Sequence, residues 1–226
     1  MTRVVLFGTG RGAAIAHRFL AADSSHEVVG FTVDDEHLAA DTHRGLPLVG
    51  FGEVENRFPP DDFEMLILLG YQQMNRLRQR KFEEAKAKGY RLASYVSSSI
   101  FQPEPIQHGE NCFIHDNQSI SLDVRIGDNV VMWSSNHIGD LSVIEDHAWV
   151  ASHVTVAAEV TIGPRAFLGI GATVTNGVHV GEEALVGADV LVTDDVAPKS
   201  VLVAGKGKIE FEALPFMRAM IGGGKL

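Results

Sequence analysis

The spacing of hydrophobic residues changes once along this chain, near its middle. Up to about residue 97, short apolar runs alternate with helical patterns. "VVLFG" (Val4–Gly8), "EVVGFTV" (Glu27–Val33) and "EMLILLG" (Glu64–Gly70) read as buried strands, and "YRLASYV" (Tyr90–Val96) as a further one. "RGAAIAHRFLAA" reads as a helix. "QQMNRLRQRKFEEAKAKG" reads as a charged amphipathic helix with Gly89 as its C-terminal stop. Strands alternating with helices predict βαβ units and a parallel sheet. Arg76, Arg78, Arg80 and Lys81 lie on the charged helix, and acidic residues follow within a turn. That pairing predicts a solvated helix face rather than a nucleic-acid surface.

From Ile114 onward every sixth residue is aliphatic, through Ile120, Ile126, Met132, Ile138, Ile144 and Val150 to Val192. Small or aliphatic residues often stand two positions earlier (Val124, Val130, Ala148, Val154). Glycine often follows directly (Gly127, Gly139, Gly163, Gly169), where the period predicts a tight turn. A six-residue unit that turns each time closes into a three-sided prism, whose coils stack at the strand spacing of ~4.8 Å. This is the hexapeptide-repeat parallel β-helix, left-handed in its known form. The expected organisation is an α/β Rossmann-like domain over 1–97, a left-handed β-helix over 98–204 and a C-terminal tail over 205–226.

The prism assigns places to the polar residues. His137, one before Ile138, projects outward from a face. Asp140, two after Ile138, falls at a corner, as do His147 and His153. Residues one coil apart stack, which sets His153 against Ser135 and Gly171, His137 against Ser119 and Thr155, and His147 against Asn129 and Arg165. For His147 this predicts a solvated surface setting. The stacks mix His with Ser and Thr, a poor donor set for a metal. Trp133, Trp149 and Phe167 flank the inward row, and exposed aromatics at that density predict an interface between copies of the chain.

Composition narrows the function classes. The 226 residues are 45% hydrophobic and 21% charged, enough for a globular fold with a core. A net charge of −10 opposes general binding of nucleic acid or of an anionic membrane. An anionic small ligand stays open, because backbone N–H groups and a few cations hold phosphate. The single cysteine, Cys112, forms no internal disulfide and suits a reducing, cytoplasmic setting. No signal peptide or membrane-spanning run is evident.

Several stretches carry a resemblance to a known family: "VVLFGTGRGA", "HEVVGFTVD", "LLGYQQMNRLR", "ENCFIHDN", "IGDNVVMWSSNHIG", "ASHVTV" and "FLGIGATV". The chain resembles the NeuD/PglD-type sugar acyltransferases over nearly its whole length. It looks most like the branch that acetylates nucleotide-linked 4-amino sugars, such as GDP-perosamine N-acetyltransferase. The resemblance implies a homotrimer with sites between adjacent prisms and acetyl-CoA as donor. It also implies an N-terminal domain that holds the nucleotide, for surface-polysaccharide or O-antigen synthesis. Matched by motif, the nucleotide sugar would contact Gly10, Arg11, Gly12, Asp34, Asp35, Gly70 and Tyr71, and acetyl-CoA would contact Trp149, Ile170 and Ala188. A glycine-rich turn after a strand with a carboxylate ending the next strand suits such a ligand, although the full dinucleotide fingerprint is missing.

The sequence departs from the family at one place. Where related chains continue "NHIG" into the histidine taken as general base, this chain has Asp140. An aspartate of pKa ~3.9 suits proton removal from an amine less well than an imidazole near ~6.5. Three routes stay open: Asp140 as a weak base or an orienting group, His137 or His153 as proton acceptor, or water. The leading expectation is an acetyl-CoA-dependent N-acetyltransferase with Asp140 touching the acceptor and a nearby histidine taking the proton. The alternatives are a sugar O-acyltransferase and a nucleotide-sugar binding protein without acyl transfer.

Overall fold

A computed structural model describes residues 1–100 and 104–205. Of the expected tail, only Gly205 is among the described residues. The first part is built from β1 (Thr2–Phe7), α1 (Arg11–Asp23), β2 (His26–Val33), β3 (Thr42–His43), β4 (Leu46–Gly50), α2 (Val54–Arg57), β5 (Glu64–Ile67) and α3 (Arg76–Ala87). The sheet order is β3-β4-β2-β1-β5, parallel throughout except for the β3–β4 pair. Alternation along β1 divides its side chains between two layers. Val4 and Leu6 pack with Ala13, Ala16 and Leu20 of α1, whereas Val5 and Phe7 pack with Val54, Phe82 and Ala85 of α2 and α3.

The second part is a three-sided prism of two-residue rungs in sheets of seven, five and five strands, all parallel. Neighbouring rungs are eighteen residues apart, as in Trp149 with Phe167 and His137 with Thr155. The whole aliphatic row from Ile114 to Val192 is buried in one core.

The glycines in this repeat act differently from the expectation. The left-handed residue of each corner comes three after the inward one and is seldom glycine: Asn129, Ser135, Leu141, His147 and His153 have φ of 56°, 67°, 60°, 64° and 59°. Gly169 follows the inward Leu168 for another reason. A Cβ there would stand 2.6 Å from the Ala188 backbone nitrogen on the next coil, so the site excludes a side chain.

Residues 90–96 do not form one strand of the first sheet. Leu92 makes a single bridge to Met65, and Tyr95–Val96 pairs instead with Phe113–Ile114 as the first rung of a prism face. The edge strand β5 is closed by the prism itself: Asn111 accepts from Ile67 N at 2.8 Å and donates to Ile67 O at 2.9 Å.

Helix α3 is not a solvated face. Its buried positions are Arg78, Lys81, Phe82 and Ala85, a helical stripe that begins with two cations. Arg78 is fully buried. Lys81 lies 2.6 Å from both Asp34 and Glu84. Burial opposes its charge, but the two carboxylates outweigh burial and raise its pKa. His147 is likewise buried, against Phe82 and hydrogen-bonded to Asn129, rather than set in a solvated surface.

Candidate active site

The C-terminal ends of β1 and β5 open toward the prism, the usual ligand side of a parallel sheet. The turn after β1 leads into α1, whose N-cap is Gly10 with no side-chain cap, so among the described residues nothing caps the first-turn N–H groups, which suit an anion. Gly12 lets this helix approach the end of β5: a Cβ there would stand 2.1 Å from the Leu68 carbonyl oxygen. After Leu69 the chain turns through Gln73, Met74 and Asn75, three successive non-glycine residues at φ 55°, 52° and 64°. Such residues are held only where the surroundings over-determine them. Here Asn75 is fully buried, donating to Arg165 O at 3.0 Å and accepting from Arg78 Nη1 at 3.0 Å.

This turn hangs Tyr71 over the prism. Its ring meets Trp149 at 5.2 Å and Phe167 at 4.9 Å, both edge-to-face. Trp133 continues the aromatic wall 6.0 Å from Trp149. The aromatics expected at an interface between copies line a cleft in each chain. Trp149 is buried there, and Trp133 and Phe167 are half-buried.

Between the two parts lies a cavity of about 740 Å³. It brings together most of the residues expected from sequence. Gly10, Arg11, Gly12, Gly70 and Tyr71 line it from one side, and Trp149, Ile170 and Ala188 from the other. Arg11 is the one charged residue in this lining. Residues not singled out as ligand contacts also line it: Ile15, Leu68, Gln72, Trp133, Ser152 and Phe167. A signal for the aromatics was available, since all three adjoin the inward row.

Asp34 and Asp35 do not line this cavity. Asp34 Oδ1 is paired with Lys81, and Asp35 Oδ1 accepts from Gly52 N at 3.0 Å. The expected catalytic residues also lie off it. His153 stands one position past Ser152, at the corner bordering the cavity. His137 is on the adjoining face, its Nδ1 3.2 Å from Ser119 Oγ. Asp140 is at the far corner of that face, where Oδ1 accepts from Leu122 N at 3.1 Å. Asp128 and Asp146 serve other coils in the same way, accepting from Glu110 N and Asp128 N. One Asp140 oxygen thus caps a coil and the other has no protein partner among the described residues. No group of three or more His, Cys, Asp or Glu side chains is placed to hold a metal among the described residues. No helix among them is long and apolar enough to cross a membrane.

No protein-family model and no curated protein matches the sequence. Solved structures do. A mutant of perosamine N-acetyltransferase from Caulobacter crescentus, in complex with CoA and GDP-perosamine, superposes with a TM-score of 0.77 at 23% identity, over 94% of this chain and 98% of that one. The acetyltransferase domain of PglB from Neisseria gonorrhoeae gives 0.76 at 18% identity, over 89% and 96%. WeeI from Acinetobacter baumannii gives 0.64 at 16% identity, over 93% and 100%. At these identities the likeness establishes the shared fold.

Proposed function

We propose that this chain is an acetyl-CoA-dependent N-acetyltransferase acting on a nucleotide-linked 4-amino-4,6-dideoxy sugar, of the GDP-perosamine kind, for surface-polysaccharide synthesis. The observation that carries the reading is one cavity, in which an uncapped helix N-terminus and a glycine-rich turn face an aromatic prism wall. Its support from outside is the shared fold, since one neighbour is described with CoA and GDP-perosamine bound. In this reading residues 1–97 are a Rossmann-like nucleotide-sugar domain, and 98–204 form a left-handed β-helix. Three copies share sites between adjacent prisms in the cytoplasm.

The residue roles follow from chemistry. The N–H groups at Gly10–Gly12, with Arg11, meet the diphosphate, and Gly70 leaves room beside it. Tyr71 offers a ring face to the sugar or base. Asp34 and Asp35 approach the ribose or base, Asp34 through the oxygen that Lys81 does not take. Trp149, Ile170 and Ala188 receive the CoA thioester. The neutral sugar amine attacks the thioester carbonyl carbon. A C–N bond forms, the C–S bond breaks, and the amine proton ends on the departing thiolate. Asp140 contacts the acceptor sugar. His153 or His137 relays the proton, because an imidazole nitrogen can accept a proton and pass it on.

One observation favours a second reading, a nucleotide-sugar binding protein without acyl transfer. Asp140 stands where related chains place their base, and one of its oxygens caps a coil. A thermal-shift screen with CoA thioesters and GDP-, UDP- and dTDP-sugars, followed by mass spectrometry of the products, separates the two. Binding raises the melting temperature in both readings, and only the first yields an acetylated sugar.

A further inference from the structure

Arg78 is a fully buried cation with no carboxylate partner among the described residues. Its guanidinium is satisfied by neutral oxygens instead. Nη2 donates to the carbonyls of Asn129 (3.2 Å), His147 (2.7 Å) and Ala148 (3.1 Å). Nε donates to Asn129 Oδ1 at 3.2 Å and Nη1 to Asn75 Oδ1 at 3.0 Å. Its CZ lies 5.4 Å from the Trp149 ring centroid. One side chain therefore touches both supports of the aromatic wall: Asn75, which ends the left-handed turn carrying Tyr71, and Trp149, on which Tyr71 rests.

Hydrogen-bond directions around Arg78 fix the state of His147. Asn111 exchanges two bonds with the Ile67 backbone, so its Nδ2 is a donor, and that Nδ2 also donates to Asn129 Oδ1 at 2.8 Å. With Arg78 Nε on the same oxygen, Asn129 must turn its Nδ2 to His147 Nδ1, 2.9 Å away. That nitrogen then accepts, and the imidazole is neutral with its proton on Nε2. A proton at Nδ1 would oppose the Asn129 donor and set a second cation beside Arg78.

We propose that Arg78 is a positioning residue for the ligand cavity and that neutral His147 keeps it in place, so ligand affinity falls as His147 takes a proton. The charged groups facing His147 are Arg78 and Glu83 from α3, Asp146 from its own turn and Arg165 from the next coil. Arg165 is engaged by Glu182 and Glu183, the latter at 2.8 Å. Burial chiefly, then Arg78 and Arg165, hold the imidazole below its ordinary value of 6.5, against the pull of Asp146 and Glu83. The same burial pushes the Arg78 guanidinium down to about 9.

The inference deepens the proposed function but has a readout that does not depend on it. The chain's two tryptophans, Trp133 and Trp149, both line the cavity, so intrinsic emission of the ligand-free protein reports the wall. Emission should shift to the red with a midpoint below 6.5 as pH falls. His147→Asn keeps an acceptor for Asn129 and suits the left-handed backbone at φ 64°, and it should lose this acid response. Arg78→Met should show the shifted emission at every pH and bind GDP and CoA about 10-fold more weakly, with Arg78→Lys between it and wild type. A His147→Asn protein with the wild-type pH response overturns the proposal. So does a folded Arg78→Met protein with wild-type emission and affinity. If neither Arg78 variant folds, the His147→Asn comparison alone decides. Failure of GDP and CoA to bind wild type would sink the functional reading and leave the emission test standing.

Discussion

Replacing Gly12 with alanine tests whether the cavity depends on the close approach of α1 to β5. The added Cβ would stand 2.1 Å from Leu68 O and 3.2 Å from Leu68 C. An ordinary C···O contact is ~3.3 Å or more, so helix or strand end must retreat by roughly 1 Å. Overpacking of this kind costs ~1–3 kcal/mol. Alanine returns ~0.5–1 kcal/mol through its better helix propensity. A net loss of ~1–2 kcal/mol lowers the Tm of a chain this long by about 2–8 °C. The displaced atoms also line the cavity, so affinity for GDP, measured by calorimetry, should fall about 10-fold. Gly30→Ala is the matched control: its Cβ would meet the Phe58 ring at 2.3 Å, and neither Gly30 nor Phe58 lines the cavity. It should lower the Tm and leave GDP affinity alone. Wild-type Tm and affinity for Gly12→Ala, or equal loss of affinity in both variants, would refute the argument.

Other outcomes follow from the same geometry. His147 is neutral when folded and takes a proton when unfolded. Its share of stability is therefore complete above 6.5 and is lost as pH falls from there toward its lower folded pKa. Urea midpoints measured through that range should fall more for wild type than for His147→Asn, and equal slopes contradict the assignment. Asp34→Ala leaves the buried Lys81 with Glu84 alone and should cost about 1–3 kcal/mol by denaturant unfolding. It should also weaken GDP binding while sparing CoA, if the free oxygen of Asp34 meets the ribose or base. In steady-state kinetics, His153→Asn or His137→Asn should lower kcat by ~10²–10⁴, whereas Asp140→Asn acts mainly on KM. A dead Asp140→Asn beside two fully active histidine variants would make the aspartate the base. Light scattering should report three copies per particle, and a monomer would remove the shared site.

The prism was readable because its signal is local and repeated: an aliphatic residue every sixth position leaves one way to bury the row. The corner places of Asp140, His147 and His153 followed from the same count. What lay between the two parts was harder to read. Arg78 and Lys81 carry no hydropathy mark of burial, though their spacing with Phe82 and Ala85 is that of a buried helical stripe. Beside the local Asn75 and Glu84, their partners are backbone carbonyls of distant coils and a carboxylate 47 residues away, which no local pattern encodes. The turn at Gln73–Asn75 holds left-handed backbone without glycine because Asn75 is bound by Arg165 O and Arg78, again a tertiary cause. The hairpin of β3 and β4 went unseen because its strands are short and Pro47 interrupts the run. The aromatics were correctly placed outside the prism, and the same chain's Tyr71 lies against two of them, Trp149 and Phe167.

Incubation of the purified protein with acetyl-CoA and GDP-perosamine, read by mass spectrometry, tests the central claim most directly. The account predicts a nucleotide sugar heavier by one acetyl group on its amine and free CoA in equal amount. It also predicts that Arg78→Met and Gly12→Ala slow this conversion. If GDP-, UDP- and dTDP-linked amino sugars all bind wild type yet none is acetylated, the claim is contradicted and the chain is a nucleotide-sugar binding protein.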